Sequence, residues 1–332
     1  MRVLVTGGEG YLGSVLIPKL LANKDIERVY NIDALFFGQN IFDESGKYLL
    51  IKERIDNPSV SWYQWFNTLE PDIVIALAAI SNDPACELNP SFTKIVNHYS
   101  VVGLALECYK HKTKFVFASS ASVYGAVNYS CHSWAPTFPI SLYAKEKLET
   151  ERDLWSMADD YWQPTIFRMA TLYGPSPRFR LDLAINKMAY DAITKGEITV
   201  YGGNQYRPFL NVQVAAEYYA DVVTRYINSP EIFGPQYGLI DNLCDFNVTI
   251  KELAVAIGNY FGAKINIEEG SLDSRNYRIE PAVFDWQDTR NILNESLDDL
   301  RVCVEKLKNP DDSNFYTVKR IGEILANESP VL

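Results

Sequence analysis

Three glycines spaced three apart, Gly7, Gly10 and Gly13, follow a short apolar run, Arg2-Val3-Leu4-Val5, and precede an apolar-periodic one, Ser14 to Leu21. This arrangement reads as a buried parallel strand, a tight turn, and a helix packed back on the strand. The first glycine permits the turn, the second lets backbone approach a pyrophosphate, and the third lets helix and strand pack closely. The helix N-terminus adds unpaired N–H groups and partial positive charge, which favour phosphate. Tyr11 and Leu12 lie inside the turn and are expected beside the same ligand. Val29-Tyr30-Asn31-Ile32 reads as a second strand, with Asp33 twenty residues beyond Gly13. A carboxylate there can accept from both ribose hydroxyls of NAD and repels the 2′-phosphate of NADP.

Composition narrows the partners. The formal net charge is −11 and the sequence has no Lys/Arg-rich run, which argues against nucleic acid and anionic membranes. Hydrophobic residues make up 47% and charged residues 22%, an ordinary globular balance. The five cysteines, Cys86, Cys108, Cys131, Cys244 and Cys303, are widely spaced and form no C-x-x-C pair. Free thiols in a reducing cytoplasm are therefore expected, without structural zinc or a disulfide framework. The N-terminus has no basic region followed by an apolar one, and no window approaches the ~20 apolar residues of a membrane span, so a soluble, intracellular protein is expected.

Strand and helix signals alternate through the first half. Tyr48–Ile51, Pro71–Ala79, Lys114–Ala118 and Pro164–Met169 read as further strands. Asn89-Pro90 reads as an N-cap with proline at the first helical position. The following helix carries Phe92, Ile95, Tyr99, Val102, Leu106 and Tyr109 on one stripe, fit for the core or for a subunit interface. Beyond Ser176 the alternation weakens, basic residues appear in loops (Arg178, Arg180, Arg207, Arg275), and Thr249-Ile-Lys-Glu252 forms a capping box. The pattern predicts an α/β protein. A Rossmann-type doubly wound parallel sheet spans 1–175, with a return over 208–243, and a smaller mixed α/β substrate unit comprises 176–207 and 244–332.

Tyr143 and Lys147 stand four apart, on one face of a helix expected from Leu142 past Glu149. A free tyrosine, with a pKa of about 10, is a poor base at neutral pH. A neighbouring ammonium and a nicotinamide cation would favour the phenolate, and it could then take the proton of an alcohol while hydride leaves the same carbon. The serine-rich strand end Ser119-Ser120-Ala121-Ser122 lies twenty-odd residues upstream, on the ligand side of such a sheet.

The ordered set Thr6-Gly-Gly-x-Gly-x-x-Gly13, Leu77-Ala78-Ala79, Ser119–Gly125, Tyr143-x-x-x-Lys147 and Leu172-Tyr-Gly-Pro175 resembles the extended short-chain dehydrogenases/reductases, specifically the nucleotide-sugar epimerase/dehydratase branch. The resemblance covers nearly the whole length and implies roles residue by residue. Gly7, Gly10 and Gly13 would hold the pyrophosphate of NAD, and Asp33 its adenine ribose. Leu77, Ala78 and Ala79 would line the cofactor cleft. Ser120, Tyr143 and Lys147 would be the catalytic set, with Lys147 also on the nicotinamide ribose. Asn97 would support the cofactor site through structure or water, and backbone after Tyr173 would meet the carboxamide. Ser122, Arg178, Arg207 and Arg275 would face a nucleotide-diphosphate sugar, since guanidinium groups suit phosphate oxygens. A homodimer through the Phe92–Tyr109 and Tyr143–Tyr161 helices is also implied.

Some positions depart from the branch pattern. Dehydratases of the branch place Asp-Glu after the catalytic Ser/Thr as acid and base; Ala121 and Ser122 stand here, which argues against 4,6-dehydration. Lys52-Glu53-Arg54 replaces the usual Gly-Asp after the third strand, and Ala76, Thr171 and Asn211 stand where histidine, asparagine and histidine are common. A nucleotide-sugar 4-epimerase and a reductase of a 4-keto nucleotide sugar would use the same residues. A non-catalytic dinucleotide-binding regulator could dispense with Ser120, Tyr143 and Lys147.

Overall fold

The computed structural model describes residues 1–57, 61–229, 240–270, 274–280 and 286–306, by backbone alone over 286–292. Asp273 and residues 307–332, which the sequence assigns to the smaller unit, lie outside the described residues. The elements of the first half are β1 (Arg2–Thr6), α1 (Gly13–Ala22), β2 (Arg28–Asp33), β3 (Tyr48–Lys52), α2 (Trp62–Leu69), β4 (Ile73–Ala76), α3 (Asp83–Leu88), α4 (Pro90–Lys94), α5 (Ser100–His111), β5 (Lys114–Ser120), β6 (Ala126–Cys131), α6 (Leu142–Met157) and β7 (Thr165–Met169). Then come β8 (Thr171–Tyr173), α7 (Ala184–Lys195), β9 (Glu197–Tyr201), β10 (Tyr206–Asn211), α8 (Val212–Asn228), β11 (Ile240–Leu243), β12 (Phe246–Thr249), α9 (Ile250–Phe261), β13 (Lys264–Glu268), β14 (Asn276–Ile279) and α10 (Trp286–Lys306).

Seven strands form one sheet in the order β3-β2-β1-β4-β5-β7-β11, every neighbouring pair parallel. The order reverses between β1 and β4, the switch point at which a doubly wound sheet opens a crevice. Strand residues alternate between two cores. Val3, Val5, Ile73, Ile75, Val116 and Ala118 face α1 and α8, whereas Leu4, Val74, Ala76, Phe115 and Phe117 pack with Phe66, Leu104 and Leu154. Burial on both faces explains the unbroken apolar runs that marked these strands. Of the later segment, β11 pairs with β7 at the sheet edge, whereas β10 pairs with β8 and β12 in a separate three-stranded sheet. Lys19 of α1 bonds Glu217 of α8 at 3.1 Å. A third core gathers Phe179, Ile185, Met188, Phe246, Leu253 and Leu297 with Phe209, a residue expected in the return over 208–243. The capping box is present at Thr249, and α9 begins on it.

Two expected elements change. The long helix after Asn89 is α4, a π-helical segment (Ile95–Tyr99) and α5 in succession. A wider turn rotates everything after it relative to a regular helix. Val96, Val101, Leu104, Ala105 and Cys108 become the buried face, while Tyr99, Leu106 and Tyr109 of the expected stripe are 55%, 41% and 40% exposed. The helix expected to reach Tyr161 stops at Met157, where Ala158 is extended and Asp159 caps the next turn by accepting from the N–H groups of Tyr161 and Trp162.

Space at individual glycines differs sharply. A Cβ on Gly13 would strike the carbonyl oxygen of Gly7 and the Cα of Gly8, backbone atoms that cannot turn aside. At Gly103, in the interior of α5, the nearest atoms lie 3.9 Å away on Trp62. In urea unfolding, Gly13→Ala should lose about 1–3 kcal/mol by overpacking. Gly103→Ala should be neutral or gain up to about 1 kcal/mol from helix propensity.

Candidate active site

At the switch point the turn after β1 meets the loop after β4. Gly7 has φ +78°, a left-handed backbone, and a Cβ there would sit 2.7 Å from the Ala78 nitrogen. Leu77 N–H donates to Thr6 O at 3.0 Å, so the two strand ends travel together. The result is a bare backbone cradle leading into α1, at the mouth of a cleft of about 790 Å³. Gly7, Gly10, Tyr11, Leu12, Gly13, Asp33, Leu77, Ala78 and Ala79 all line this cleft.

The cradle is braced from behind by Glu9, Asn31 and Tyr48, which the sequence did not single out, and by Asp33 and Arg178, which it did. Glu9, 2% exposed, accepts from the Tyr48 hydroxyl at 2.8 Å and from Ile41 N–H at 2.6 Å. Asn31 accepts from Gly8 N–H at 2.9 Å and donates to Tyr48. Asp33 accepts from the N–H groups of Glu9 and Leu35 at 2.9 and 2.8 Å. Arg178, expected at the substrate, lies 2% exposed along the cleft wall. It donates to the carbonyls of Glu9, Phe37 and Gln39 at 3.1, 2.8 and 2.6 Å, tying the cradle to the segment after β2.

Farther along the cleft, the end of β5 faces the start of α6. Ser141 caps that helix by accepting from Ala144 N–H at 3.2 Å, which sets Tyr143 in its first turn. Tyr143 stands beside Ser120 in the cleft, and the Ser120 oxygen accepts from Ser122 N–H and the Ser122 hydroxyl at 3.2 and 2.9 Å. Lys147 donates to Ala118 O at 2.7 Å, and its ammonium stands 5.7 Å from the Tyr143 ring centre. Tyr143 keeps part of its ring open, but burial of its hydroxyl pushes the phenol above its ordinary value. Cys86 and Asp83 act the same way, while Arg180 and Ser120 pull it back. Burial brings the Lys147 ammonium down to about 8.

The far wall joins the two units. Arg180 donates to the Ser81 hydroxyl at 2.8 Å and pairs with Asp182 at 2.6 Å, Asn82 donates to Asp182 at 2.7 Å, and Arg275 pairs with Asp83 at 2.6 Å. Ser81, Asn82 and Asp83, consecutive residues after β4, are thus each held from across the cleft. Arg207, 4% exposed, donates to the Arg275 carbonyl and so sets that neighbour's position. Ser120, Ser122, Tyr143, Lys147, Arg178, Arg207 and Arg275 share the cleft with the glycines.

Two expected residues do not line it. Asn97 is fully buried, and its amide accepts from Ile80 N–H at 2.8 Å and donates to Ile80 O at 2.9 Å, so it shapes the loop after β4 from behind. Tyr173 is fully buried and donates to Asp245 at 3.3 Å; Leu172 and Thr171 beside it reach the cleft instead. A buried tyrosine hydroxyl seeks an acceptor, and Asp245 supplies one from the following unit.

The glycine cradle, a carboxylate at the end of β2 and a Ser–Tyr–Lys set one strand farther on fit a dinucleotide laid across the switch point, and the chain is an enzyme of the dinucleotide-dependent class. Residues 3–233 match the NAD dependent epimerase/dehydratase family, and the chain belongs to that family. NAD is accordingly its cofactor. It is 28% identical over 250 residues to an uncharacterized UDP-glucose epimerase, YtcB, of Bacillus subtilis (strain 168), covering 70% of this chain and 75% of that protein. It is 26% identical over 258 residues to dTDP-glucose 4,6-dehydratase of Salmonella typhimurium, covering 68% and 69% respectively. The UDP-glucose 4-epimerase of Thermus thermophilus in complex with NAD shares the fold, with a TM-score of 0.73 at 22% identity over 91% of this chain and 99% of that one.

Burial raises the Asp33 carboxyl to about 6, against the pull of the Leu35 and Glu9 N–H groups. With the adenine ribose beside it, the group would repel a 2′-phosphate above that pH, and below it the repulsion would fade. The preference for NADH over NADPH should therefore be larger at pH 8 than at pH 5. Fluorescence binding titrations at both pH values, with Asp33→Asn expected to lose most of the difference, check this.

Proposed function

We propose that the chain is an NAD-dependent nucleotide-sugar 4-epimerase working through a transient 4-keto sugar. The observation that carries this reading over dehydration is the identity of the two residues after Ser120. Ala121 has no titratable group and packs into the core, and the Ser122 hydroxyl is spent on Ser120. Neither can serve as the acid–base pair that removes water, whereas Ser120, Tyr143 and Lys147 suffice for proton removal and return.

In this reading the glycine turn and the α1 N-terminus hold the pyrophosphate, Asp33 the adenine ribose, and Lys147 the nicotinamide ribose. NAD held there would supply the hydride acceptor, and then the hydride donor, for the sugar C4. Tyr143 as phenolate accepts the proton of the C4 hydroxyl, Ser120 holds that oxygen, and the same phenol returns the proton after the keto sugar has turned. Because burial disfavours the phenolate, the positive charges of Lys147 and of the cofactor must offset that cost. Arg207 and Arg275 grip the diphosphate, Arg275 exchanging Asp83 for phosphate oxygens. Arg178 is left out of the substrate set, since it braces the cradle.

A homodimer of this chain through the α4–α5 run and α6 belongs to the same proposal, with Tyr99, Leu106 and Tyr109 exposed to serve it. A monomer by sedimentation at micromolar concentration would count against that part. A cytoplasmic location belongs to the same proposal, with the thiols of Cys86, Cys108, Cys131 and Cys244 buried.

Stoichiometric NAD released on denaturing the purified chain, together with transient absorbance at 340 nm on mixing with UDP- or dTDP-hexoses, is the expected signature. An empty chain that turns over only with added NADH and a 4-keto sugar would make it a reductase. Tyr143→Phe should lower turnover by about 10²–10⁴-fold while NADH affinity stays within a small factor. Full activity in that variant would remove Tyr143 from the chemistry.

A further inference from the structure

Three consecutive residues at the end of β5 are each met by α6. Ala118 O accepts from Lys147, the Ser119 hydroxyl donates to Glu151, and Ser120 stands beside Tyr143 in the cleft. Tyr143, Lys147 and Glu151 lie at successive four-residue steps, so one helix face meets one strand end. Glu151 is also anchored from a third element. Arg168 of β7 grips it with Nε at 3.0 and 3.1 Å and Nη2 at 2.6 Å, and the two side chains are 3% and 5% exposed. Arg168 is in turn held by the Tyr124 hydroxyl at 3.0 Å and by Ser133 O at 2.9 Å. We propose that Glu151 is a positioning residue, held by Arg168 against the end of β5 so that Ser120, Tyr143 and Lys147 keep one register.

The same carboxylate acts on Lys147 through space. The ammonium rests on the Phe117 ring at 4.7 Å and near the Tyr143 ring, and burial is the largest influence on it, followed by Cys86 of α3 and then Glu151. Cys86 is itself pushed up to about 12 by burial, so at neutral pH it is an uncharged thiol. Asp83 of α3 acts on Tyr143 and is paired with Arg275, Arg180 is paired with Asp182, and Arg168 is paired with Glu151. Glu151 is therefore the negative charge that keeps Lys147 an ammonium near pH 7–8.

This inference rests on the proposed contact between Lys147 and the cofactor ribose, and its test needs no sugar substrate. NADH binding to the full chain, freed of any co-purified dinucleotide, is followed by fluorescence from pH 6 to 9.5. Affinity should fall about tenfold as the ammonium is lost, with a midpoint near 8 in the wild type, and should be flat in Lys147→Gln. Glu151→Gln should move the midpoint down by about one pH unit. If that variant does not fold with Arg168 left charged, the pair Glu151→Gln/Arg168→Met removes both buried charges and should move the midpoint in the same direction by a smaller amount. Ser119→Ala, which keeps every charge, should leave the midpoint in place. A flat Lys147→Gln profile with unmoved midpoints in the Glu151 variants overturns the role of Glu151 alone. A midpoint that survives in Lys147→Gln overturns the Lys147 contact and this inference with it.

Discussion

The close approach of two peptide backbones at Gly7 is the constraint on which the rest of the site depends. Any side chain on Gly7 would sit 2.7 Å from the Ala78 nitrogen, so the ends of β1 and β4 can touch only because that position is bare. Their contact locates the switch point, because helices leave β1 and β4 toward opposite faces of the sheet and the crevice opens between them. Once that edge is set, the right-handed parallel order carries the ends of β5 and β7 to the same rim. The residues that reach the cleft from β2, β4, β5 and the start of α6 thus come from distant stretches of chain, yet share one edge of one sheet.

A cleft between two cores has a second requirement, which is to keep buried polar groups paired. Glu9 sits nearly sealed inside the cradle, where an unpaired carboxylate would be costly. Tyr48, Ile41 and Asn31 meet that need directly or through one another. Arg178 reaches across from the loop after β8 and spends its planar fork on three carbonyls of the opposite wall. Lysine could not do this, because its donors radiate from one point. Such networks add little net stability over an apolar core, but each bond admits few geometries, and so they orient the cradle. The ion pair of Arg168 and Glu151 has the same character one strand farther on.

Local spacing carried most of what the sequence made legible. The glycines, the alternation of apolar runs, the four-residue step from Tyr143 to Lys147 and the capping box at Thr249 are all short-range signals, and each lies where expected. What escaped depends on direction or on distant partners. Arg178 and Arg275 look alike in a sequence of loops, but one points into carbonyls of the cradle and the other at Asp83. Asn97 matched a family position, and its amide is consumed by Ile80, seventeen residues earlier. A stripe counted at regular helical spacing cannot anticipate the π-helical turn over Ile95–Tyr99, which moved Tyr99, Leu106 and Tyr109 to the outside. The serines, acids and arginines of the far wall carry no periodic signature, since their pairing is set only when the smaller unit folds against the sheet.

Electrostatics then explains how a chain of net charge −11 can host a dinucleotide and, in the proposed function, a second diphosphate. Its overall field opposes both, so attraction must come from groups close enough to escape screening by water and salt. At one end this is backbone: the N–H groups of the glycine turn and the partial charge of the α1 terminus, which involve no ionised side chain. At the other end, in the proposed function, it is guanidinium, and there Arg275 is already neutralised by Asp83, as Arg180 is by Asp182. An arginine held in an ion pair does not sit in the low-dielectric cleft as an uncompensated charge. When a phosphate takes the place of the carboxylate, one desolvated anion replaces another. The exchange costs far less than burying a new charge, and a diphosphate, with more charge and more acceptor oxygens than one carboxylate, has the advantage in it.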